Sequence, residues 1–205
     1  MLRYLILVFL FCAVYYLTEH LLITDEIVYS SFIDRLSYDR ISEILANGKK
    51  WQWLHYAFLP IILFIKIAFV ATCLSIGGLI INIDAGFKKF ASIAITAEFV
   101  FLITHIIKLL WFCIVKVNYT LQDLQFFSPL SMISLFNPTE LDPWLVYPIQ
   151  LLNVFELLYW IALAWQLQEV LEKPFAESLG FVAKTYGVGL AVWVVVVMFL
   201  TVSIS

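Results

Sequence analysis

Residues 94–112 read AITAEFVFLITHIIKLLWF, and this stretch decides the fold class. It is long and apolar enough to cross a bilayer, because a spanning α-helix needs about 20 mostly apolar residues. Yet it carries Glu98, His105 and Lys108. Ionisable side chains are costly in hydrocarbon unless they are paired or hydrated. The stretch therefore predicts a membrane helix that packs its charged side against other helices.

The composition of the whole chain agrees with this prediction. Hydrophobic residues make up 63% of the 205 residues, whereas a soluble domain has about 45–50%. The fold class we predict is all-α, a polytopic transmembrane helical bundle. The net charge of −3 and the lack of a Lys/Arg-rich run give no signature of nucleic-acid binding. The expected partners are the lipid bilayer and other membrane proteins or a second copy of the chain.

Apolar windows predict a single transmembrane domain over residues 1–205 with about five spans. The windows cover 2–23, 53–82, 90–115, 144–168 and 180–203. Positive charges in the connections are nearly balanced between the two sides. Arg3 and the Lys88-Lys89 pair favour an N-terminus on the inside.

Two connections predict short helices rather than plain loops. Residues 24–52 mix charges with apolar residues at helical spacing, which indicates one or two interfacial helices, and Asn47-Gly48 reads as a helix stop. In the third connection, residues 127–137 include SMISLF (131–136), an apolar segment too short to span that lies between Pro129 and Pro138. We predict an interfacial or re-entrant helix there.

Six polar side chains inside the predicted spans form the candidate site. They are Lys66, Glu98, His105, Lys108, Asn153 and Glu156. Glu98 and His105 lie seven residues apart and Lys108 one turn further on, so this stripe is expected to face the bundle interior. Gln150, Asn153 and Glu156 step by three and form a second inward stripe.

These polar side chains leave three roles open. Lys66 could pair with one acid and Lys108 with the other, which would fix the register of the helices. Glu98 and His105 could instead relay protons or ions. The cluster could also bind a partner or a lipid headgroup.

Small residues predict two close helix contacts. They are Gly77-Gly78 and the Gly187-x-Gly189 pair. Glycines in membrane helices let neighbouring backbones approach closely. We interpret them as packing positions rather than nucleotide loops.

Enzyme signatures do not occur in the sequence: there is no HExxH, no GxSxG and no P-loop. The histidines lie on three separate segments, which makes a poor metal site. We expect no cofactor, no metal and no catalytic residue. A membrane-embedded enzyme using His55, His105 or Glu156 is the least favoured hypothesis.

Three stretches carry a family resemblance over about residues 53–203. They are GGLIINIDAGFKKFASIA (77–94), FSPLSMISLF (127–136) and LLNVFELLYWIALAWQLQEVL (151–171). In their order of long helix, tight turn, proline-broken connection and final helices, they resemble the Yip1-like family of small five-helix integral membrane proteins.

The resemblance implies a non-enzymatic accessory or scaffold subunit that binds other membrane proteins. Family members in eukaryotes are associated with small GTPases and vesicle traffic, and bacterial members occur too. We expect a multi-pass protein of the bacterial inner membrane. The alternative hypothesis is a small carrier or permease component that uses the intramembrane Lys, Glu and His residues as an ion or proton pathway.

Overall fold

In a computed structural model, the chain is built from helices. The structure describes residues 2–33, 36–83, 85–136 and 141–204. The α-helices are α1 Leu2–Leu22, α2 Asp25–Phe32, α3 Tyr38–Ile80, α4 Phe87–Ala97, α5 Phe99–Leu110, α6 Leu121–Phe126, α7 Pro143–Leu151, α8 Val154–Leu171, α9 Phe175–Val182 and α10 Val188–Ile204. Trp111–Val115 and Ala183–Gly187 are π-helical, and Met132–Leu135 is a 3-10 helix.

Several of these helices can cross a membrane, as the sequence predicts. Within the described residues, four helical stretches are long and apolar enough: Leu2–Leu22, Tyr38–Ile80, Phe87–Val115 and Phe175–Ser203. This confirms an all-helical protein with several membrane-compatible helices. The predicted total of about five spans is not confirmed.

The predicted fourth span, 144–168, is divided. Helix α7 ends at Leu151 and α8 begins at Val154, because Leu152 and Asn153 leave the helical conformation. Pro148 inside α7 removes one backbone donor and weakens this helix. Asn153 then starts α8 as its N-cap.

Helix α3 begins well before the predicted start at residue 53. The predicted stop at Asn47-Gly48 is wrong, because both residues lie inside α3. A glycine in a helix interior costs only about 1 kcal/mol relative to alanine, which the long apolar continuation of α3 outweighs. Lys49 also forms an ion pair with Asp25 at 2.8 Å.

The short helices predicted in the connections are found in part. Helix α2 lies in 24–52, and the 3-10 helix Met132–Leu135 lies in 127–137. The rest of 24–52 contributes to α3 rather than to a second separate helix. Helix α6 was not predicted. Pro138 and the last residue of 127–137 lie outside the described residues.

The chain divides into two compact units. The first comprises the residues up to Leu63 together with Leu102–Phe127, and the second comprises Phe64–Phe101 and Ser128–Ser205. The single transmembrane domain over 1–205 stays a prediction.

The first unit has an aromatic-rich core. Leu22, Leu109, Phe112 and Leu124 are buried together. The hydroxyl of Tyr119 donates to the carbonyl of Leu22 at 3.1 Å. This contact satisfies a carbonyl at the end of α1 that has no partner inside the helix.

The second unit packs through glycines, which confirms the predicted packing positions. A Cβ atom at Gly77 would collide with Thr185 and Phe181, and one at Gly78 would collide with Phe90. At Gly187 it would meet the ring of Trp160. The absence of side chains at these positions therefore sets how closely the helices of this unit approach.

Candidate functional site

An ion pair between Lys66 and Glu98 lies inside the second unit. Lys66 Nζ donates to Glu98 Oε1 at 2.6 Å. The Glu98 side chain is 1% exposed and that of Lys66 is 37% exposed. Glu98 sits at the turn between α4 and α5, where the N–H of Phe101 bonds to the carbonyl of Glu98 at 3.1 Å. The helix irregularity places the carboxylate in the core.

Aromatic rings surround the ammonium group of Lys66. Its Nζ lies 3.5 Å from the ring centroid of Phe101 and 5.6 Å from that of Tyr159. Rings at these distances attract a cation electrostatically. The lysine thus has one carboxylate and two ring faces as partners within the unit.

Two buried oxygens next to this ion pair hydrogen-bond to none of the described residues. They are Glu98 Oε2 and Tyr159 Oη. Tyr159 is fully buried, and its ring packs against Phe101 with centroids 5.0 Å apart. Unpaired buried polar atoms cost free energy, so these two mark a locally unsatisfied spot in the core.

Glu156 is held by neutral donors instead of a lysine. The hydroxyl of Tyr186 and the Nε1–H of Trp160 donate to its Oε1 at 2.8 and 2.9 Å. Oε2 receives no hydrogen bond from the described residues. The ring of Tyr186 also contacts that of Tyr159, with centroids 5.5 Å apart. Aromatic side chains therefore connect the surroundings of Glu156 to those of Glu98.

The π-helical segment Ala183–Gly187 positions Tyr186 on Glu156. A π-turn widens the helix locally and is often found at functional sites. Gly187 follows directly, and its missing side chain makes room for the ring of Trp160. Both donors to Glu156 thus depend on this irregular segment.

The break between α7 and α8 is closed by the segment around Ser131. Met132 N–H donates to the carbonyl of Leu152 at 2.9 Å, and Val154 N–H donates to the carbonyl of Leu130 at 3.1 Å. The Ser131 hydroxyl donates to the carbonyl of Gln150 at 2.9 Å. Irregular backbone away from water is tolerated where protein satisfies its polar groups, and these hydrogen bonds satisfy backbone groups at the break.

Asn153 completes the break. Its Oδ1 accepts from the N–H of Glu156 at 2.8 Å, and its Nδ2 donates to the carbonyls of Gln150 and Leu151 at 3.0 and 3.2 Å. The amide therefore both ends α7 and starts α8. This contact fixes the backbone that carries Glu156.

A groove of about 790 Å³ opens beside the break. Leu130, Leu152 and Glu156 line one side, and Leu190, Ala191 and Val194 of α10 line another. Its volume lies in the range of small-molecule sites, about 300–1,000 Å³. Among its lining residues, all of which the structure describes, Glu156 is the one with an ionisable side chain.

His105 and Lys108 do not join this cluster of the second unit. Both belong to the first unit. His105 is exposed and packs edge-on against Phe11, with ring centroids 5.4 Å apart, so the prediction that it faces the interior is wrong. The turn at Glu98 interrupts the regular helix between α4 and α5. The side of the helix on which His105 lies therefore cannot be inferred from the side on which Glu98 lies.

The predicted pairing of the two lysines is half right. Lys66 does pair with an acid. Lys108 donates to the backbone carbonyl of Leu124 at 2.5 Å, and within the described residues it forms no ion pair. The carbonyl of Leu124 lies near the end of the short helix α6, where carbonyls lack partners inside the helix.

Sequence reasoning found Asn153 but missed four other neutral members of the cluster. These are Tyr159, Trp160, Tyr186 and Ser131. Trp160 follows Glu156 by one helical turn, which was a usable signal. Tyr186 and Ser131 reach their partners through tertiary contacts, for which the sequence carries no local signal.

The described residues contain no group of three or more His, Cys, Asp or Glu side chains that could hold a metal ion. No protein-family model, curated protein or solved structure matches the chain.

Proposed function

We propose that this protein is a non-enzymatic, multi-pass integral membrane protein of the bacterial inner membrane. It acts as an accessory or scaffold subunit that binds other membrane proteins or a second copy of itself. The proposal includes five membrane passages, with α7 and α8 together forming the fourth. It follows the Yip1-like resemblance described above.

The low burial of the last spanning stretch carries this proposal. Only 6% of the apolar window of Phe175–Ser203 is buried within the chain. Most apolar side chains of this window therefore remain at least partly accessible to lipid or to other helices. Membrane helices associate through van der Waals packing of such surfaces.

One face of α10 supplies a concrete binding surface. Val188, Val192, Val196 and Phe199 are exposed and recur at helical spacing. β-Branched valines have few rotamers in a helix, so they lose little entropy when a partner helix packs on them. None of these four residues lines the groove beside Glu156.

Purification in mild detergent tests the accessory role. The tagged wild type should recover a membrane protein or a second copy in fixed stoichiometry. Val192→Trp should lower that recovery severalfold, while Ile62→Trp, at an exposed apolar position of α3, should not. A monomer without partner, or equal recovery from both variants, would overturn the proposal.

A second candidate function is a small carrier or permease component. It is favoured by the broken helix α7–α8 beside a groove that contains Glu156, an arrangement typical of transport sites. The polar path would then run through Glu98, Tyr159, Tyr186 and Glu156. Reconstituted vesicles should show a solute or ion flux that Glu156→Gln abolishes. Vesicles without flux, with normal behaviour of Glu98→Gln in cells, argue against it.

A further inference from the structure

We infer that the groove beside the helix break binds a lipophilic amine, that is, an apolar body carrying a single ammonium group and no phosphate. Glu156 is the counter-ion in this site. The inference goes beyond both proposed functions, because it concerns binding alone and holds with or without complex formation or transport.

The walls of the groove select the apolar body. Leu130, Met132 and Leu152 come from the helix break and the segment that closes it, and Leu190, Ala191 and Val194 come from α10. Side chains of this kind bury an alkyl group by removing its surface from water or headgroups. A small polar metabolite would find no hydrogen-bond partner on these apolar walls.

The charge in the groove selects a cation. Glu156 is the ionisable residue of the lining, and both hydrogen bonds that its side chain accepts from the described residues end on Oε1. Oε2 can therefore accept a hydrogen bond from a ligand. An ammonium group at this oxygen forms a charge-assisted hydrogen bond, which is about twice as strong as a neutral one.

The same geometry disfavours an anionic or phosphate-bearing ligand. The start of α8 would attract a phosphate if its N–H groups were free. Val154 N–H is bonded to the carbonyl of Leu130 and Glu156 N–H to Asn153 Oδ1. No Lys, Arg or His occurs among the lining residues, all of which are described. A phosphate in the groove would thus face a carboxylate with no cationic side chain among the lining residues to offset the repulsion.

Photo-labelling with three probes of equal chain length tests this assignment. The probes are dodecylammonium, dodecanol and dodecanoate, each with a terminal diazirine. The protein is held in phosphatidylcholine nanodiscs at pH 7, and labelled peptides are mapped by mass spectrometry. Labelling of the groove peptides should show an affinity about tenfold higher for dodecylammonium than for dodecanol. Dodecanoate should have the lowest affinity of the three probes.

Two matched variants separate charge from shape. Glu156→Gln should bring the amine and the alcohol to equal affinity. Glu169→Gln, the same substitution at an exposed position of α8, should keep the tenfold preference. Ala191→Phe fills the groove from an exposed position of α10 and should reduce labelling by all three probes.

Several results would overturn the inference. Equal labelling by amine and alcohol in the wild type is one, and labelling confined to peptides outside the groove is another. A preference that survives Glu156→Gln also rejects it. If Glu156→Gln fails to fold, the inference is still tested by the ratio of amine to alcohol affinity in the wild type and by the labelling of Ala191→Phe. Suppression of labelling when phosphatidylethanolamine replaces phosphatidylcholine would overturn the assignment to a phosphate-free amine.

Discussion

Glu98 and Glu156 are both buried carboxyls of the second unit, yet they are stabilised differently. Glu98 faces the ammonium of Lys66, and its second oxygen is buried without a hydrogen-bond partner among the described residues. Glu156 faces a hydroxyl and an indole N–H, and it lines a groove. The first arrangement neutralises charge internally and favours a structural role. The second gives the carboxyl no cationic partner among the described residues, which favours a role in binding.

Removal of the lysine should give the largest effect. Lys66→Met leaves the Glu98 carboxylate buried without a counter-charge. The free energy of unfolding should fall by about 3 kcal/mol, the low end for breaking a buried pair, because Lys66 is 37% exposed. Thermal unfolding in detergent measures this.

Two further variants make that result specific. Lys66→Met combined with Glu98→Gln should recover most of the loss, since neither charge remains. Lys184→Met, at an exposed lysine of the same unit, should stay within about 0.5 kcal/mol of wild type. A double variant no more stable than Lys66→Met would refute the structural role of the pair.

Removal of one neutral donor to Glu156 should rank second. Tyr186→Phe deletes a hydrogen bond to a charged group, which is worth about 2 kcal/mol. Tyr159→Phe is the matched control, because its buried hydroxyl has no partner among the described residues. That variant should be neutral or slightly more stable. Equal losses from both variants, measured by thermal unfolding, would contradict the assigned hydrogen bonds.

Loss of the cap under Glu156 should have a smaller effect. Asn153→Ala removes the acceptor for the N–H of Glu156 and should cost about 1 kcal/mol, the typical value of an N-cap. Asn153→Ser keeps an acceptor oxygen and should restore much of the loss. If serine behaves like alanine in chemical denaturation, the side chain does not act as a cap.

The smallest expected effect concerns the half-buried ion pair between Lys116 and Asp123 in the first unit. The hydrogen bond from Lys116 lowers the pKa of the Asp123 carboxyl, and hydrogen bonds from the backbone N–H and hydroxyl of Thr120 lower it further. Because the folded pKa lies below the unfolded value, the pair stabilises the protein above about pH 4, and this contribution is lost as the pH falls through the folded pKa.

Solvent screens this pair, so the contribution should stay below about 1 kcal/mol. The difference in stability between wild type and Asp123→Asn should therefore shrink as the pH is lowered from about 5 to 3. Lys116→Met should weaken the same pH dependence while it leaves the Thr120 cap intact. A difference that grows on acidification would show the opposite sign of the pKa shift.

The positions of the helices could be largely predicted, because apolar run length depends on local sequence. The span 2–23 matches α1 within a residue. The break at Leu152 and Asn153 could not, since the hydrogen bonds that close it come from Leu130 and Met132, distant in sequence.

The candidate site was predicted in its charged members but not in their arrangement. Lys66 and Glu98 stand out in an apolar run, and opposite charges attract at depth. His105 was placed wrongly because helical phase cannot be carried through the turn at Glu98. Tyr186 and Tyr159 were missed because a tyrosine in a membrane helix is common and its partner is set by tertiary packing.

The backbone hydrogen bonds that close the break between α7 and α8 have a consequence for biosynthesis. The chain is made from its N-terminus, so Leu130 and Met132 leave the ribosome before Leu152 and Val154, their backbone partners. Until those partners arrive, the earlier residues carry unpaired backbone groups that the bilayer interior does not accept. If α7 and α8 form the membrane passage proposed above, the segment must wait in water or at the headgroups until they are made. It would then enter the membrane together with α7 and α8, in one joint insertion step.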